Sequence, residues 1–205
     1  MRRLAQFAAA IIVTNALIGA LNGCVTTADT EAPQEYLDNE TAATVLVAAR
    51  PLVFARDRPE LAVHMRDYVT LAAAAIDRMG KTDYVLIAYF WTTLDAHGRE
   101  GEPALPGGAD PRARELIIVA DDRRIKLKSG SVSAHDMGIG EAVHAPPSRA
   151  AVQVLYRVDL ATLRFLSAAH RLALLQDAND PTSGFQLWSD RRPALNGLVR
   201  SSSGQ

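Results

Sequence analysis

An α+β domain is predicted for this chain, with a mostly antiparallel sheet of about eight short strands and two helices near the C-terminus. Three observations carry it. Short runs rich in Val, Thr, Leu and Ile recur along the chain between turn residues, as strands do. Helical spacing behind a good capping residue appears late, after Asp159 and again after Asp190. Composition is that of a folded core, with 48% hydrophobic, 22% charged and 6% aromatic residues.

The elements follow in order. From Tyr36 the pattern turns β-like, with short strands expected over 41–48 and 51–55, and a turn or helix start at Asp57-Arg58-Pro59-Glu60. Residues 61–79 carry two patterns. Leu61, Met65, Tyr68, Ala72, Ile76 and Met79 fall at helical spacing, with Gly80 placed to end a helix. Asp67-Tyr-Val-Thr-Leu71 favours a strand instead, and Met79-Gly80-Lys81 reads as a tight turn before an obvious strand over 84–94, which would pair 67–77 with 83–93 as a hairpin.

Residues 99–114, with Pro103, Pro106, Gly107, Gly108 and Pro111, read as a surface loop. A strand is expected over 115–120, a turn at Asp121-Asp122-Arg123, and a partner strand over 124–128. Residues 129–149 read as a second, solvated loop, and 151–158 as a strand. Asp159 suits the N-cap of a helix to about residue 169, with Leu160, Leu163 and Leu166 on one face. Strands follow over 171–176 and 185–188. Asp190 is placed to cap a last helix with Pro193 in its first turn and Leu195, Leu198 and Val199 facing inward, over Trp188 as a core residue. Residues 201–205 read as a frayed tail.

The N-terminus carries an address. Arg2 and Arg3 precede an apolar run over 4–20, interrupted beyond Gln6 only by Thr14-Asn15 and short for a spanning helix, which needs ~20 apolar residues. A basic start, an apolar stretch and small residues at a cleavage point make a secretory signal. Its ending, Leu21-Asn22-Gly23-Cys24, resembles a bacterial lipobox. The resemblance implies that 1–23 is removed and that Cys24 becomes a lipidated N-terminus inserted in the membrane. Val25 is not the aspartate that retains many such proteins at the inner membrane, so the resemblance implies the outer membrane, facing the periplasm. Residues 24–35 then read as lipidated Cys and tether, and 36–200 as one domain. Cys24 is the single cysteine, so the fold holds without an internal disulfide.

Pro51-Leu-Val-Phe-Ala-Arg-Asp-Arg-Pro-Glu-Leu61, Asp67-Tyr-Val-Thr-Leu71 and Tyr89-Phe-Trp-Thr-Thr-Leu-Asp95 resemble segments of uncharacterised proteobacterial lipoproteins. In those proteins the stretch matching 72–77 alternates Val and Glu, as a strand would; here it is Ala-Ala-Ala-Ala-Ile-Asp. The resemblance covers about residues 36–95. It favours the hairpin and implies no chemistry.

Function classes narrow by charge and motif. With 22 basic against 23 acidic residues and a formal net charge of −1, no broad basic field exists to bind nucleic acid. His135, Asp136, Glu141 and His144 concentrate imidazoles and carboxylates in one loop, the residue types that hold zinc and activate water, but at the spacing of no metal motif. Gly138-Ile-Gly140 is too short for a phosphate cradle, and Ser129, Ser131 and Ser133 near His135 lack a nucleophile-elbow sequence. No catalytic residue and no cofactor is therefore assigned. Asp57, Arg58, Asp95 and Arg99 are placed for ion pairs around the hairpin. The apolar run Tyr84-Val-Leu-Ile-Ala-Tyr-Phe-Trp91 reads as a strand buried on both faces, or as one presenting Tyr89 and Trp91 to a protein partner, since aromatic anchors dominate such surfaces. The leading expectation is a lipid-anchored interaction or scaffolding module of the cell envelope. The alternative is a metal-dependent or other hydrolase using the 135–144 loop.

Lipidation is directly checkable. Palmitate fed to expressing cells is expected to label the wild type and not Cys24→Ala. Unlabelled wild type in the soluble periplasmic fraction refutes the anchor.

Overall fold

The computed structural model describes residues 31–59, 64–93, 115–129, 133–180 and 183–204. Among these residues the framework is a ten-stranded, antiparallel sheet with two α-helices, the last near the C-terminus, so the α+β expectation fits in its broad form. The strands are β1 (Gln34–Asp38), β2 (Ala43–Val47), β3 (Leu52–Asp57), β4 (Arg66–Arg78), β5 (Lys81–Thr92), β6 (Glu115–Ala120), β7 (Arg123–Lys128), β8 (Val152–Val158), β9 (Leu172–Leu175) and β10 (Gly184–Ser189). Helix α1 (Leu160–Ala168) lies between β8 and β9, and α2 (Arg192–Ser203) follows β10.

The contested stretch 61–79 is resolved where it is described: residues 66–78 are strand, not helix, and pair with β5 in unbroken register from Asp67↔Thr92 to Arg78↔Lys81. Two residues turn the chain, Met79 at φ 56° and Gly80 at φ 81°. Two positive φ angles in a two-residue loop match the right-handed twist of the flanking strands. The Asp77 carboxylate accepts the Gly80 N–H and the Thr82 hydroxyl, which fixes the turn.

This long hairpin is the spine. One edge of β4 is shared, with β3 on residues 66–71 and β2 on 74–77, while β5 holds the other edge and pairs onward with β8. From β3 the sheet continues through β10, β9, β6 and β7, and β7 returns beside β8. The curl encloses the larger core. It contains Leu52, Phe54, Val69, Leu71, Ala73, Ala75, Leu86, Ala88, Ile118 and Tyr156, with Leu163 and Leu166 of α1 and Leu195, Leu198 and Val199 of α2. We call this the inner face.

The outer face is apolar too. Val45, Ala72, Ala74, Ile76, Val85, Ile87 and Tyr89 make a second core, closed by Met137 and Ile139. Here the structure corrects the expected solvated loop. The described residues after 132 lie on the sheet and enter a short 3-10 helix (His135–Met137). Gly138 (φ 94°) packs so closely that a Cβ would sit 3.0 Å from Ile76 and 3.2 Å from Ala43. The four alanines at 72–75 now have a reason. Every one is buried, two under this cover and two on the inner face with α2, and small side chains let both covers come close.

Three boundaries differ from expectation. Residues 36–40 and 41–48 rearrange: β1 ends at Asp38, residues 39–42 turn, and β2 starts at Ala43. The domain begins inside the expected tether, because Gln34 and Glu35 pair in β1 and the Glu31 carbonyl lies against Gly197, where a Cβ would come within 2.7 Å of it. The expected tail is helical to Ser203, whose hydroxyl donates to the Val199 carbonyl and accepts from Arg164 of α1. The Asp159 cap is as expected, taking the Thr162 N–H at 2.7 Å. Asp190 sits one residue before the N-cap Arg191, yet still accepts the Arg192 N–H. The proline- and glycine-rich 99–114 stretch, Asp95, Ser131 and Cys24 lie outside the described residues.

The turn gives a pair of opposite outcomes. Gly80 has open space around it, so Gly80→Ala pays only the left-handed backbone penalty and is expected to lower stability by ~1 kcal/mol. Met79 is fully exposed, so Met79→Asn loses no packing and suits the turn, raising stability by up to ~1 kcal/mol. Urea midpoints of the two variants check both signs.

Candidate functional site

The expected partner pair, Tyr89 and Trp91, is split by the structure. Both project from the outer face of β5, but Tyr89 is fully buried beneath the 133–151 cover and donates its hydroxyl to the His144 carbonyl at 3.2 Å. Burial raises its pKa, and the phenol stays neutral. It cannot meet a partner. Trp91, two residues on, is half-buried and belongs to a different group.

That group is assembled by register. Across the outer face, Gln186 of β10 stands opposite Ala55, Ala55 opposite Tyr68, and Tyr68 opposite Trp91. The small Ala55 leaves room beside the aromatic pair. Tyr68 and Trp91 stack with ring centroids 4.2 Å apart and 11° between planes, and Trp91 donates its indole N–H to the Thr70 hydroxyl at 3.0 Å. Trp188 completes the group. Pairing of β10 with β3 shifts by one residue between Leu187 and Ser189, a bulge that leaves Trp188 unpaired and turned outward. Its side is consistent with the alternation along the strand, since Phe185 and Leu187 face inward and Gln186 outward. Trp188 is 59% exposed, which corrects its expected place in the core.

Arg66 links the two aromatic groups. Its guanidinium lies 4.5 Å over the Trp188 ring, and its Nε donates to Asp57, directly opposite on β3, at 2.6 Å. The Asp57 carboxylate, and then the Tyr68 hydroxyl, hold the guanidinium above its ordinary pKa. A guanidinium held by a carboxylate and spread over an indole keeps a large polar-edged surface ordered without burying it. On the inner face at the same end, Arg56 and Arg58 both reach Asp67, at 2.6 and 2.8 Å, and Arg56 lies 4.5 Å over Phe185. Arg58 thus finds a pairing role near the hairpin as expected, and Arg56 closes the end of the core.

The 135–144 residues belong to the cover over the outer face. Asp136 accepts from the Ser133 hydroxyl at 2.7 Å, and the Asp136 carbonyl accepts from Arg78 at 3.1 Å. His135 is exposed. The His144 ring is half-buried, with Nε2 3.1 Å from the Ala48 carbonyl. Glu141 contributes its backbone N–H. Among the described residues, no three His, Cys, Asp or Glu side chains converge as a metal site would need.

The polar group that organises this region was not singled out in the sequence. Asp38, fully buried at the end of β1, accepts four backbone N–H bonds, from Glu40 and Thr41 in its own turn and from Gly140 (2.7 Å) and Glu141 (3.0 Å) in the cover. Thr41 adds a bond from its hydroxyl to the Gly138 carbonyl. Burial alone would push the Asp38 pKa up. The N–H bonds from Glu141, Thr41 and Gly140 outweigh it and bring the value down to about 2.

Compared with known proteins, the chain matches no family model, no curated protein and no solved structure.

Acid is expected to loosen the cover in two windows. Desolvation lowers the His144 pKa below its ordinary 6.5, with the Ala48 bond opposing, so its contribution is whole above pH 6.5 and is lost as pH falls below that. The Asp38 contribution is whole above its ordinary 3.8 and is lost as pH falls toward 2. Urea titrations across pH are expected to show both slopes, with His144→Gln removing the upper one. Asp38→Asn at pH 7 is expected to cost ~2 kcal/mol, since the N–H donors lose a charged acceptor.

Proposed function

We propose that the chain is a lipid-anchored periplasmic domain that binds a protein of the cell envelope through the outer-face group of Trp188, Arg66, Tyr68 and Trp91. The observation that carries this reading is Trp188, a large ring left more than half exposed and backed by an ordered guanidinium. Exposed Trp and Arg beside Tyr are the residue types that dominate binding energy when a partner excludes water from them. An amphipathic indole offers area at little entropic cost, because only two side-chain torsions must be fixed. Anchoring by the Cys24 lipid would hold the domain close to a membrane, since the segment between Cys24 and β1 is short. Among the described residues, no helix is long and apolar enough to cross the membrane.

A photo-crosslinking amino acid tests the surface. Placed at exposed Gln186, next to the aromatic group, it is expected to give one discrete adduct in intact cells, and Trp188→Ala is expected to abolish that adduct while leaving the unfolding free energy within ~1 kcal/mol of wild type. The same probe at exposed Lys126 on β7 is expected to give none. Equal adducts at both positions, or an adduct indifferent to Trp188→Ala, refute the surface.

A further inference from the structure

A second site lies at the other end of the hairpin, on the opposite face. Register places two rows of side chains across the sheet: Glu35, Leu46 and Ala75, and beside them Leu37, Thr44, Asp77 and Thr82. Six of these residues, all but Leu37, line a hollow of about 290 Å3. Its floor is Leu46 and Ala75, both buried, and its rim carries Glu35 and Asp77. Among the described residues neither carboxylate has an ion-pair partner: Asp77 accepts from its own turn, and Glu35 is exposed. Glu35 of that hollow belongs to β1, which pairs only with β2, so its other edge presents unpaired backbone groups among the described residues. Leu37, 61% exposed, stands on the same face of that edge strand.

We propose that this groove docks an extended segment of a partner protein, which adds to β1 as a strand and places a lysine or arginine side chain in the hollow. The stem would lie on Leu46 and Ala75, and the cation would sit between Glu35 and Asp77. An apolar floor with an acidic rim matches the two halves of such a side chain and of few other groups. The hollow falls just below the ~300–1,000 Å3 of small-molecule sites, which suits one long side chain delivered by a strand. Strand addition supplies affinity through the main chain, and the pocket supplies selectivity. A second copy of this chain is a poor occupant, because its own β1, Gln34-Glu-Tyr-Leu-Asp38, would bring carboxylates to carboxylates. Edge strand β7 is guarded differently: it carries Arg123, Arg124, Lys126 and Lys128, the charged side chains that discourage pairing. Edge β1 has no such cations.

The test uses full-length protein in dodecyl maltoside micelles and a fluorescent seven-residue peptide of alternating valine and threonine with one central lysine. Fluorescence anisotropy is expected to show saturable binding that rising salt weakens. Glu35→Lys, at an exposed position without a partner, is expected to leave the fold intact and weaken binding by at least about fivefold. A central glutamate in the peptide is expected to do the same, and N-methylation of its backbone to abolish binding. Trp188→Ala is expected to leave binding unchanged, which separates this site from the aromatic one. Four results overturn the proposal: equal binding of the lysine and glutamate peptides, indifference to Glu35→Lys, butylamine competing as well as the peptide, or no binding of any peptide up to ~1 mM.

Discussion

The β4–β5 hairpin is apolar on both faces, and the rest of the molecule is arranged to cover it. A sheet with one wet face alternates, and its wet face needs no cover. Here Ala72, Ala74, Ile76, Val85, Ile87 and Tyr89 on one side are as buried as Val69, Leu71, Ala73, Ala75, Leu86 and Ala88 on the other. The inner face is closed by the curl of the sheet and by α1 and α2. The outer face is closed by a segment with almost no regular structure, anchored on Met137 and Ile139. At ~25 cal/mol per Å2 of apolar surface, leaving either face to water would cost more than a small domain's net stability.

An irregular cover must satisfy its own backbone groups without a ladder. Asp38 does much of this. A carboxylate has only acceptor sites, and its four N–H partners come from two parts of the chain far apart in sequence, the β1–β2 turn and the 140–141 backbone. The bond from Thr41 to Gly138, and those from His144 and Tyr89, reinforce the same junction. Of the residues that look like metal ligands in one dimension, Asp136 bonds to Ser133 and His144 to the Ala48 carbonyl, while His135 is exposed and Glu141 contributes its backbone N–H.

With both cores closed, the chemistry left at the surface is polarised along the hairpin. At the start of β4, Arg66 and the three large aromatic rings gather on the outer face. At its end, Asp77 joins Glu35 over an apolar floor on the inner face. The two groups are separated by the length of a thirteen-residue strand and by the thickness of the sheet. They share no residue, so each can be altered without touching the other. Edge strand β1, which carries Glu35, is also the strand next in sequence to the expected lipid anchor.

Local chemistry was legible wherever neighbours in sequence decide it. The Asp159 cap, the Met79-Gly80 turn, the β6–β7 hairpin and the inward face of α2 all depend on residues within a few positions, and all stand where the pattern places them. The alternation of Phe185, Gln186, Leu187 and Trp188 carried a signal for the outward side of Trp188, which the expectation of a core residue beneath the last helix passed over. What the chain could not disclose alone was which groups lose water when distant segments meet. Four alanines carry no period because both of their faces are covered, so helix and strand patterns coexisted until β2, β3 and β5 paired with β4. Tyr89 and Trp91 share one strand face and differ only in whether the 133–151 segment reaches them. Asp38 is one acidic residue among 23 until burial and four N–H donors single it out. Burial is a property of contacts across the whole chain, and only the tertiary structure assigns it.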